Sequence, residues 1–382
     1  MTKLSALPLA QLQKRKSAKW REFPNDVLPL PVADMDFEIA KPIRDVLGEM
    51  IKGSDTGYLG PIPELGVNLA KFSKARWGWE IDPEQVFVAT DVGVGMVEMA
   101  RTVINPGDLI MINSPVYHNM NNWITELKCK SYDAPLTKTG LNYTIDLKAI
   151  ERGYGAGVKA HFLCNPHNPV GMVFTREELS ELAELAKKYG VTVFSDEIHA
   201  PLTYDAKQFT PFLDVSETAR VVGICVTAAS KSWNLAGLKC ATVITAHPKQ
   251  QERAKSMPMA VHYRASLFGA VASAIAYECA DWLDVAIATM ESNRRFLATL
   301  LSKELPDVGY RIPDFSYLAW LDLKELKLGE NPAEVLLARG KLAVNAGVTF
   351  GTESSNFVRL NFATSEEILT EAISRMVSCV KK

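Results

Sequence analysis

The sequence predicts an α/β protein that has a large domain with a mainly parallel, doubly wound sheet and a smaller α+β domain. Two observations support this fold class. From about residue 44 to 280, short apolar runs alternate with helical patterns, as in sheets that carry helices on both faces. Near the C-terminus, a long helical stretch is followed by strand-like runs and a final helix. We therefore expect an N-terminal segment (1–43) that joins the small domain, a large domain (44–282) and a small domain (283–382).

The large sheet is predicted from apolar runs that are short enough for buried strands. The runs are VFVA (86–89), LIMINS (109–114), HFLC (161–164), VTVFS (191–195), VVGICV (221–226) and ATVIT (241–245). Helical patterns separate them, among them GMVEMARTVI and TREELSELAELAKKYG. The second of these has Thr175 as N-cap, Glu178 at the capping-box position and Gly190 as its stop. Ligands of such sheets bind beyond the carboxyl ends of the strands, so the residues there are the functional candidates.

The small domain is predicted from segments near the C-terminus. They are the helical DWLDVAIATMESNRRFLATLLSKEL, the strand-like YLAWLDL, VTF and FVRLNFA, and a helix to the end. The proline-rich stretch FPNDVLPLPVADMDF (23–37) cannot form a regular helix because of Pro24, Pro29 and Pro31. We expect this stretch to run extended across the surface or to join the small domain.

Composition excludes several classes of function. With 382 residues, 47% of them hydrophobic, the chain can bury a large core. Its 42 basic and 44 acidic residues give a net charge of -2 without long runs, so neither nucleic acid nor a membrane is expected as a partner. The six cysteines lie far apart, which predicts reduced thiols and no metal site. No apolar run reaches the length of a membrane span, and the N-terminus lacks an apolar signal region, so we expect a cytoplasmic protein.

Polar residues follow the first three strands of the predicted sheet. After VFVA, the turn containing Gly93, Val94 and Gly95 leads into a helix whose N-terminus could bind a phosphate, although a plain turn is the more ordinary interpretation. After LIMINS, Tyr117 could stack on a flat ring or simply pack against its neighbours. After HFLC, Asn168 in NPHNPVG could donate a hydrogen bond, but Asn-Pro is also a common turn former.

The next two strands end in chargeable groups. Asp196 and His199 follow VTVFS, where the aspartate could also serve only as a cap, and Lys231 follows VVGICV, where it could also extend to solvent. A phosphate-binding turn, a stacking ring, an amide, an acid and a lysine are together what pyridoxal phosphate requires. Its aldehyde needs a lysine amine, and its pyridine nitrogen needs a carboxylate in order to stay protonated.

At this point the sequence resembles the fold-type I pyridoxal-phosphate enzymes, the aspartate aminotransferase superfamily. More narrowly, it resembles the MalY/PatB group of cystathionine β-lyases. The segments that carry the resemblance are PVADMDF (31–37), TGYLG (56–60), NPHNPVG (165–171), SDEIH (195–199), SKSWNLAGL (230–238), YLAWLDL (317–323) and FVRLNFA (357–363). They span nearly the whole chain in the expected order. The narrower resemblance rests mainly on VADMDF, SDEIH and YLAWLD.

The resemblance implies a role for each candidate in the cofactor site. Lys231 is expected to form a Schiff base with the cofactor and later to move the substrate proton. Asp196 is expected to pair with the pyridine nitrogen, and Asn168 to bond the 3-oxygen of the ring. Further cofactor contacts are implied for Tyr117 on the ring, His199 near the 3-oxygen, the backbone of Gly93, Val94 and Gly95 on the phosphate, and the hydroxyls of Thr227 and Ser230 near the phosphate.

Substrate and subunit contacts are implied in the same way. Arg359 is expected to clamp the α-carboxylate of an amino-acid substrate, a task that suits its planar fork. Ala33, in PVADMDF, is expected in the substrate site with Tyr117 and Asn168. Tyr58, in TGYLG, resembles a tyrosine that reaches the phosphate of a neighbouring subunit, which implies a homodimer with shared sites.

Three positions depart from the pattern of the family. Lys239 stands where many relatives have a phosphate-binding arginine, so a point charge replaces a fork. Phe209 stands where the lyase group often has histidine, and His118, Asn119 and Met120 follow Tyr117 in place of a proline and an aromatic residue. The last two departures concern the substrate pocket rather than the cofactor site.

The resemblance favours a carbon–sulfur β-lyase that converts L-cystathionine or related S-substituted cysteines to a thiol, pyruvate and ammonia. An aminotransferase is the alternative, because it uses the same lysine, aspartate and arginine. A third hypothesis is a regulatory protein that contacts a transcription factor, as the resemblance to MalY allows. The retained Lys231 and Arg359 argue against a purely non-catalytic role.

Overall fold

The computed structural model describes residues 3–204 and 209–380. Its strands are β1 (Leu28–Pro29), β2 (Val86–Ala89), β3 (Leu109–Ile112), β4 (Lys130–Asp133), β5 (Thr137–Thr139), β6 (Asn142–Thr144), β7 (Val158–Cys164), β8 (Thr192–Asp196), β9 (Gly223–Thr227), β10 (Ala241–Ile244), β11 (Gly309–Tyr310), β12 (Leu318–Asp322), β13 (Leu342–Ala343), β14 (Asn345–Ala346) and β15 (Phe357–Asn361).

The helices lie between these strands and at both ends of the chain. They are α1 (Leu9–Leu12), α2 (Ala18–Arg21), α3 (Lys41–Lys52), α4 (Pro63–Trp77), α5 (Val92–Arg101), α6 (Asn119–Glu126), α7 (Leu147–Gly155), α8 (Arg176–Tyr189), α9 (Glu217–Val222), α10 (Pro248–Lys255), α11 (Met259–Tyr263), α12 (Leu267–Ala276), α13 (Ala280–Glu304), α14 (Pro332–Gly340) and α15 (Glu366–Val380). None of the helices in the described ranges is both long and apolar enough to cross a bilayer.

The large sheet has seven strands in the order β2-β10-β9-β8-β7-β3-β4. The pairs from β9 through β8, β7 and β3 to β4 are parallel, whereas β10 runs antiparallel to both β9 and β2. The prediction of an α/β fold with a mainly parallel sheet is therefore confirmed. These five parallel strands end at the same edge of the sheet, which brings the loops that follow them together.

Both faces of the central strands are buried, which is why their sequences are apolar without alternation. Phe162, Phe194 and Ile224 face one core cluster, which also contains residues of α5 and α6. Their neighbours Leu163 and Val193 face the other cluster, which contains residues of α8. Alternate residues of one strand thus enter opposite cores, as a doubly wound sheet requires.

Helix α8 begins and ends as its sequence predicts. The Thr175 hydroxyl accepts a hydrogen bond from the Glu178 amide, and the Glu178 carboxylate accepts one from the Thr175 amide. Gly190 ends the helix in the left-handed conformation with φ of 70°. These caps satisfy backbone groups that the helix itself leaves without partners.

A second, antiparallel sheet has four strands in the order β11-β12-β15-β14. The helices α13 and α15 pack on each other beside it. The N-terminal stretch runs extended, as predicted, and β1 pairs in parallel with β13, where Leu28 lies opposite Leu342. The domain boundaries at 43 and 282 remain a prediction.

Two strand predictions are wrong in detail. The run VVGICV does not form one strand, because Val221 and Val222 end α9 and the strand begins at Gly223. Val221 is half-buried, and Val222 and the strand are buried, so the apolar run continues across their junction. The run VTF lies in a 3-10 helix, Gly347–Phe350, with Val348 exposed and Phe350 packed against Trp320. Three apolar residues are too few to distinguish a strand from a turn.

Candidate active site

A cavity of about 500 Å³ lies beyond the carboxyl ends of β2, β3, β7, β8 and β9. One wall is closed by residues 31–33 of the N-terminal stretch, and another by Asn345 and Arg359 of the small sheet. Among the predicted site residues, those on the cavity wall are Ala33, Gly93, Tyr117, Asn168, Asp196, His199, Ser230, Lys231, Lys239 and Arg359. The fold thus brings residues that are more than three hundred positions apart in the sequence into one site.

Lys231 lies in the loop after β9, and its Nζ donates a hydrogen bond to the Ala33 carbonyl at 3.1 Å. Burial lowers the pKa of this amine, while Asp34 raises it, Arg359 lowers it and Asp196 raises it. Burial has the largest effect because the ammonium form is costly to desolvate. A lowered pKa increases the share of the neutral amine, which is the form that acts as a nucleophile or a base.

Asp196 is the last residue of β8, and its Oδ1 accepts a hydrogen bond from the Ile198 amide at 3.2 Å. Burial raises the pKa of this carboxyl to about 7, although the Ile198 amide and Lys231 both act to lower it. The carboxylate therefore lacks a contact strong enough to offset its burial. A protonated ring nitrogen placed beside it would provide that contact.

Arg359 lies on β15 and is 4% exposed. Its Nη1 donates to Asn168 Oδ1 at 3.1 Å, and its Nη2 donates to the Pro31 carbonyl at 3.1 Å and to Asn345 Oδ1 at 2.7 Å. In the described ranges Nε has no hydrogen-bond partner and no carboxylate pairs with the guanidinium. Burial lowers the pKa of Arg359 to about 10. A buried guanidinium held only by neutral acceptors suits a ligand carboxylate.

Tyr117 and His199 provide two further rings in the cavity wall. The Tyr117 hydroxyl accepts a hydrogen bond from Asn119 at 2.7 Å, and burial raises its pKa. The His199 Nδ1 lies 3.1 Å from the Ser316 hydroxyl. Burial lowers the pKa of His199 well below its ordinary value, with Lys231 and Arg359 contributing. His199 is therefore a neutral hydrogen-bonding group at physiological pH.

The far end of the cavity lies at the N-terminus of α5. Gly93 is on the wall and packs closely against Trp123. A Cβ at this position would lie 2.9 Å from the indole nitrogen, so a larger residue would not fit. Lys239 Nζ lies 3.1 Å from Asp91 Oδ2. With Ser230 also on this wall, a helix N-terminus, a hydroxyl and an ammonium group surround one space, which suits a phosphate.

Three predicted phosphate contacts are not on the wall. The Val94 amide donates to the Asp91 side chain at 2.9 Å, and the Gly95 amide donates to the Asp91 carbonyl at 2.9 Å, so the cap of α5 uses both. A Cβ on Gly95 would lie 3.0 Å from Val226, which shows that this glycine serves the packing of α5 on the sheet. The Thr227 hydroxyl donates to the Glu197 carbonyl at 3.0 Å. Tyr58 is 90% exposed on the surface of the single chain, also away from this wall.

Several wall residues were not found from the sequence. Asp91, Trp123 and Asn345 line the cavity. The signal for Asp91 was its place before the α5 turn as an N-cap, whereas Trp123 and Asn345 carry no local pattern. Phe209, one of the departures from the family pattern, is buried against Trp77 with 5.3 Å between ring centroids and is not part of the wall.

Residues 31–36, which we call the strap, are held over the cavity by side chains. The carbonyls of Pro31 and Ala33 accept hydrogen bonds from Arg359 and Lys231. Tyr317 also donates to Ala33, and Asn361 donates to the carbonyls on either side of it, at residues 32 and 34. The four successive carbonyls of residues 31–34 therefore each accept a hydrogen bond from a buried side chain.

Comparison with known proteins places these features in a family context. The model of the family described as aminotransferase class I and II matches residues 25–376. Cystathionine beta-lyase of Corynebacterium glutamicum is 34% identical over 97% of this chain and 98% of its own. Cystathionine beta-lyase PatB of Bacillus subtilis is 32% identical over 92% of each chain. A solved structure from Corynebacterium diphtheriae, which carries the provisional name PLP-dependent beta-cystathionase, has a TM-score of 0.94 and 33% identity over 99% of each chain.

Proposed function

The chain belongs to the aminotransferase class I and II family, and we propose that it is a pyridoxal 5′-phosphate-dependent carbon–sulfur β-lyase. Its substrates are L-cystathionine or related S-substituted L-cysteines, and its products are a thiol, pyruvate and ammonia. One observation carries the proposal: Lys231, Asp196 and Arg359 line one cavity, the first half-buried and the other two buried, and none of them has an ion-pair partner in the described ranges. The relatives named cystathionine beta-lyase support the lyase over an aminotransferase.

The residues of the cavity fit the cofactor. The Asp196 carboxyl, with its raised pKa, suits the protonated pyridine nitrogen, and the Lys231 amine suits the aldehyde. We assign Asn168 and His199 to the ring oxygen, Tyr117 to the ring face, and Gly93, Ser230 and Lys239 to the phosphate, since all of them line the cavity. When bound, pyridoxal phosphate supplies an aldehyde that captures the substrate amine and a ring that stabilises negative charge at Cα.

Arg359 orients the substrate. We assign it the α-carboxylate, because its planar guanidinium lies on the cavity wall and, in the described ranges, is held only by neutral acceptors. Asn168 and Asn345 hold that fork on the cavity wall, so the position of the carboxylate is fixed before the substrate arrives. With the carboxylate fixed there and the amine near Lys231, the Cα–H bond is held toward the lysine.

Lys231 moves the proton. Its Nζ, with a lowered pKa, accepts the proton when the Cα–H bond breaks. The Cβ–S bond then breaks, the electron pair of that bond leaves with sulfur, and the lysine returns the proton to the departing thiolate. Water converts the remaining three-carbon unit to pyruvate and ammonia.

We infer further that the protein is a homodimer in which Tyr58 contacts the phosphate bound by the other copy. The support is its exposure of 90%, which is unusual for a tyrosine, and its position in the TGYLG motif. The protein is also proposed to act in the cytoplasm, because no disulfide joins its six cysteines in the described ranges and five of them are buried. The segment boundaries 1–43, 44–282 and 283–382 belong to the same proposal.

The test of the lyase assignment gives the purified holoenzyme L-cystathionine with and without an added keto acid. Pyruvate and ammonia released without the keto acid are the expected result. Turnover that depends strictly on the keto acid would instead establish an aminotransferase. Borohydride reduction followed by peptide mapping should place the cofactor on Lys231, and a label on another lysine would contradict the site.

A further inference from the structure

His118 lies on the cavity wall directly after Tyr117, where the sequence departs from the family pattern. Its ring centroid is 5.0 Å from that of Tyr117 and 5.5 Å from that of Phe350, which it meets at 89°. The guanidinium carbon of Arg359 lies 4.9 Å from the same Phe350 ring. His118 and the proposed carboxylate clamp therefore pack against one aromatic side chain in the same part of the cavity.

The proton of the His118 ring can be assigned from its surroundings. Nδ1 is inaccessible and has no hydrogen-bond partner in the described part of the chain. Burial lowers the pKa of His118, and the positive charge of Arg359 lowers it further, so the ring is neutral at physiological pH. A buried acceptor without a partner is tolerated better than a buried donor without one. We therefore assign the single ring proton to Nε2. Nδ1 is then an unprotonated acceptor that does not contact the cavity.

Two side-chain amides on this wall, Asn119 and Asn345, already take part in hydrogen bonds. Asn119 donates to Tyr117 at 2.7 Å, and its own oxygen accepts from Asn122 at 2.9 Å. Asn345 accepts from Arg359 at 2.7 Å. The Nε2–H of His118 has no acceptor among the described residues, and it lies close to the positive charge of Arg359.

We propose that His118 binds a carboxylate on the leaving thiol, so that the preferred substrates are S-substituted L-cysteines whose substituent ends in a carboxylate. The proposal rests on the lyase function above. With the α-carboxylate on Arg359 and the amine near Lys231, the S-substituent is the part of the substrate that remains for this wall. A neutral Nε2–H donor beside a guanidinium favours an anionic acceptor over an alkyl group.

The test compares two substrates that differ only in the end of the substituent, S-(2-carboxyethyl)-L-cysteine and its apolar isostere S-(3-methylbutyl)-L-cysteine. For the wild-type holoenzyme, kcat/KM should be higher for the carboxylate by about tenfold or more, the value of a hydrogen bond to a charged group. His118→Phe should reduce this ratio about tenfold, and His118→Gln, which retains an N–H donor, should restore part of it. Asn121→Ala, an exposed change on the same helix, should leave the ratio as in the wild type.

The outcomes separate this inference from the function on which it rests. Pyruvate from both substrates at equal kcat/KM overturns the role of His118 and leaves the lyase assignment intact. Pyruvate from neither substrate, nor from L-cystathionine, overturns both. If His118→Phe does not fold, the wild-type ratio and that of His118→Gln still decide, because a wild type without preference contradicts the proposal.

Discussion

Lys231, Asp196 and Arg359 are three ionisable groups that line one cavity. Asp196 and Arg359 are buried, Lys231 is half-buried, and none of the three forms an ion pair in the described ranges, whereas the fully buried Lys19 pairs with Asp36 at 2.8 Å. Burying a charge without a partner costs stability, so such groups persist where a ligand provides the partner. The folded protein without ligands therefore carries a cost that cofactor and substrate binding removes.

Asp196 should make the stability of the cofactor-free protein depend on pH. Its folded-state pKa is raised from 3.8 to about 7, so between these values the folded protein retains a proton that the unfolded chain releases. Stability from this group is present below pH 3.8 and is lost as the pH rises toward about 7. The side chain of Asp196→Asn cannot titrate. As the pH rises from 3.8 to about 7, the free energy of unfolding of the wild type should therefore fall by about a few kcal/mol relative to that of this variant.

The measurement is chemical denaturation of both apo-proteins at several pH values. Asp307→Asn, at an exposed position, provides the control and should follow the wild type. A constant difference between Asp196→Asn and the wild type would show that Asp196 titrates normally in the folded state.

Arg359→Lys should weaken substrate binding although the charge is kept. Lysine cannot reproduce the fork that contacts Asn168, Pro31 and Asn345 simultaneously. We expect kcat/KM for L-cystathionine to fall about thirtyfold, mainly through KM, as for the loss of one charged hydrogen bond. Steady-state kinetics provide the measurement, with Arg295→Lys at an exposed position as the control. Unchanged KM would remove Arg359 from the carboxylate site.

At the scale of elements, the loops after β3 and β7 are joined by one buried histidine. His167 is fully buried, and its Nε2 donates to the Pro115 carbonyl at 2.9 Å, which fixes the proton on that nitrogen. Burial lowers the pKa of His167 to about 4, so the ring remains neutral. Pro115 precedes Tyr117 by two residues and His167 directly precedes Asn168. The hydrogen bond therefore helps to fix the distance between the Tyr117 ring and the Asn168 amide.

His167→Leu should loosen this separation and weaken cofactor binding about tenfold, the effect of losing one buried hydrogen bond. His167→Gln keeps an N–H donor and should recover most of the affinity. Both are measured by titrating apo-protein with pyridoxal phosphate and following the absorbance of the bound cofactor. A leucine variant with wild-type affinity and an unshifted absorbance band would show that the loops hold their positions independently.

At the scale of the whole molecule, the proposed homodimer makes a prediction about mixed subunits. Tyr58→Ala and Lys231→Ala should each be inactive or nearly so, since each removes one part of every site. A mixture of the two variants, unfolded and refolded together, forms dimers in which one site contains both native residues. Activity should then return to roughly a quarter of the wild-type value for random pairing. No recovery in verified mixed dimers would place Tyr58 within its own subunit's site or outside any site.

The parallel sheet explains which site residues the sequence could predict. Asp196, Asn168 and Lys231 were predictable because parallel strands end at one edge, so position after a strand implies position in the site. Val94 and Thr227 have the same sequence signal, but their polar groups are used by the α5 cap and by the Glu197 carbonyl. Sequence position does not reveal which partner a donor takes. Trp123 and Asn345 reach the cavity through tertiary packing, which no local pattern records.

The strap joins the beginning of the chain to its end. Pro31 and Arg359, which share a hydrogen bond, are separated by 328 positions, and Asn361 holds residues 32 and 34 across a similar interval. During synthesis the N-terminal residues leave the ribosome first. They cannot form these hydrogen bonds until nearly the whole polypeptide, including β15, has been made. Contacts so distant in sequence form late, because closing the loop between them costs entropy. A nascent chain stopped before residue 357 therefore lacks one wall of the cavity, and catalytic competence is among the last properties that the growing polypeptide acquires.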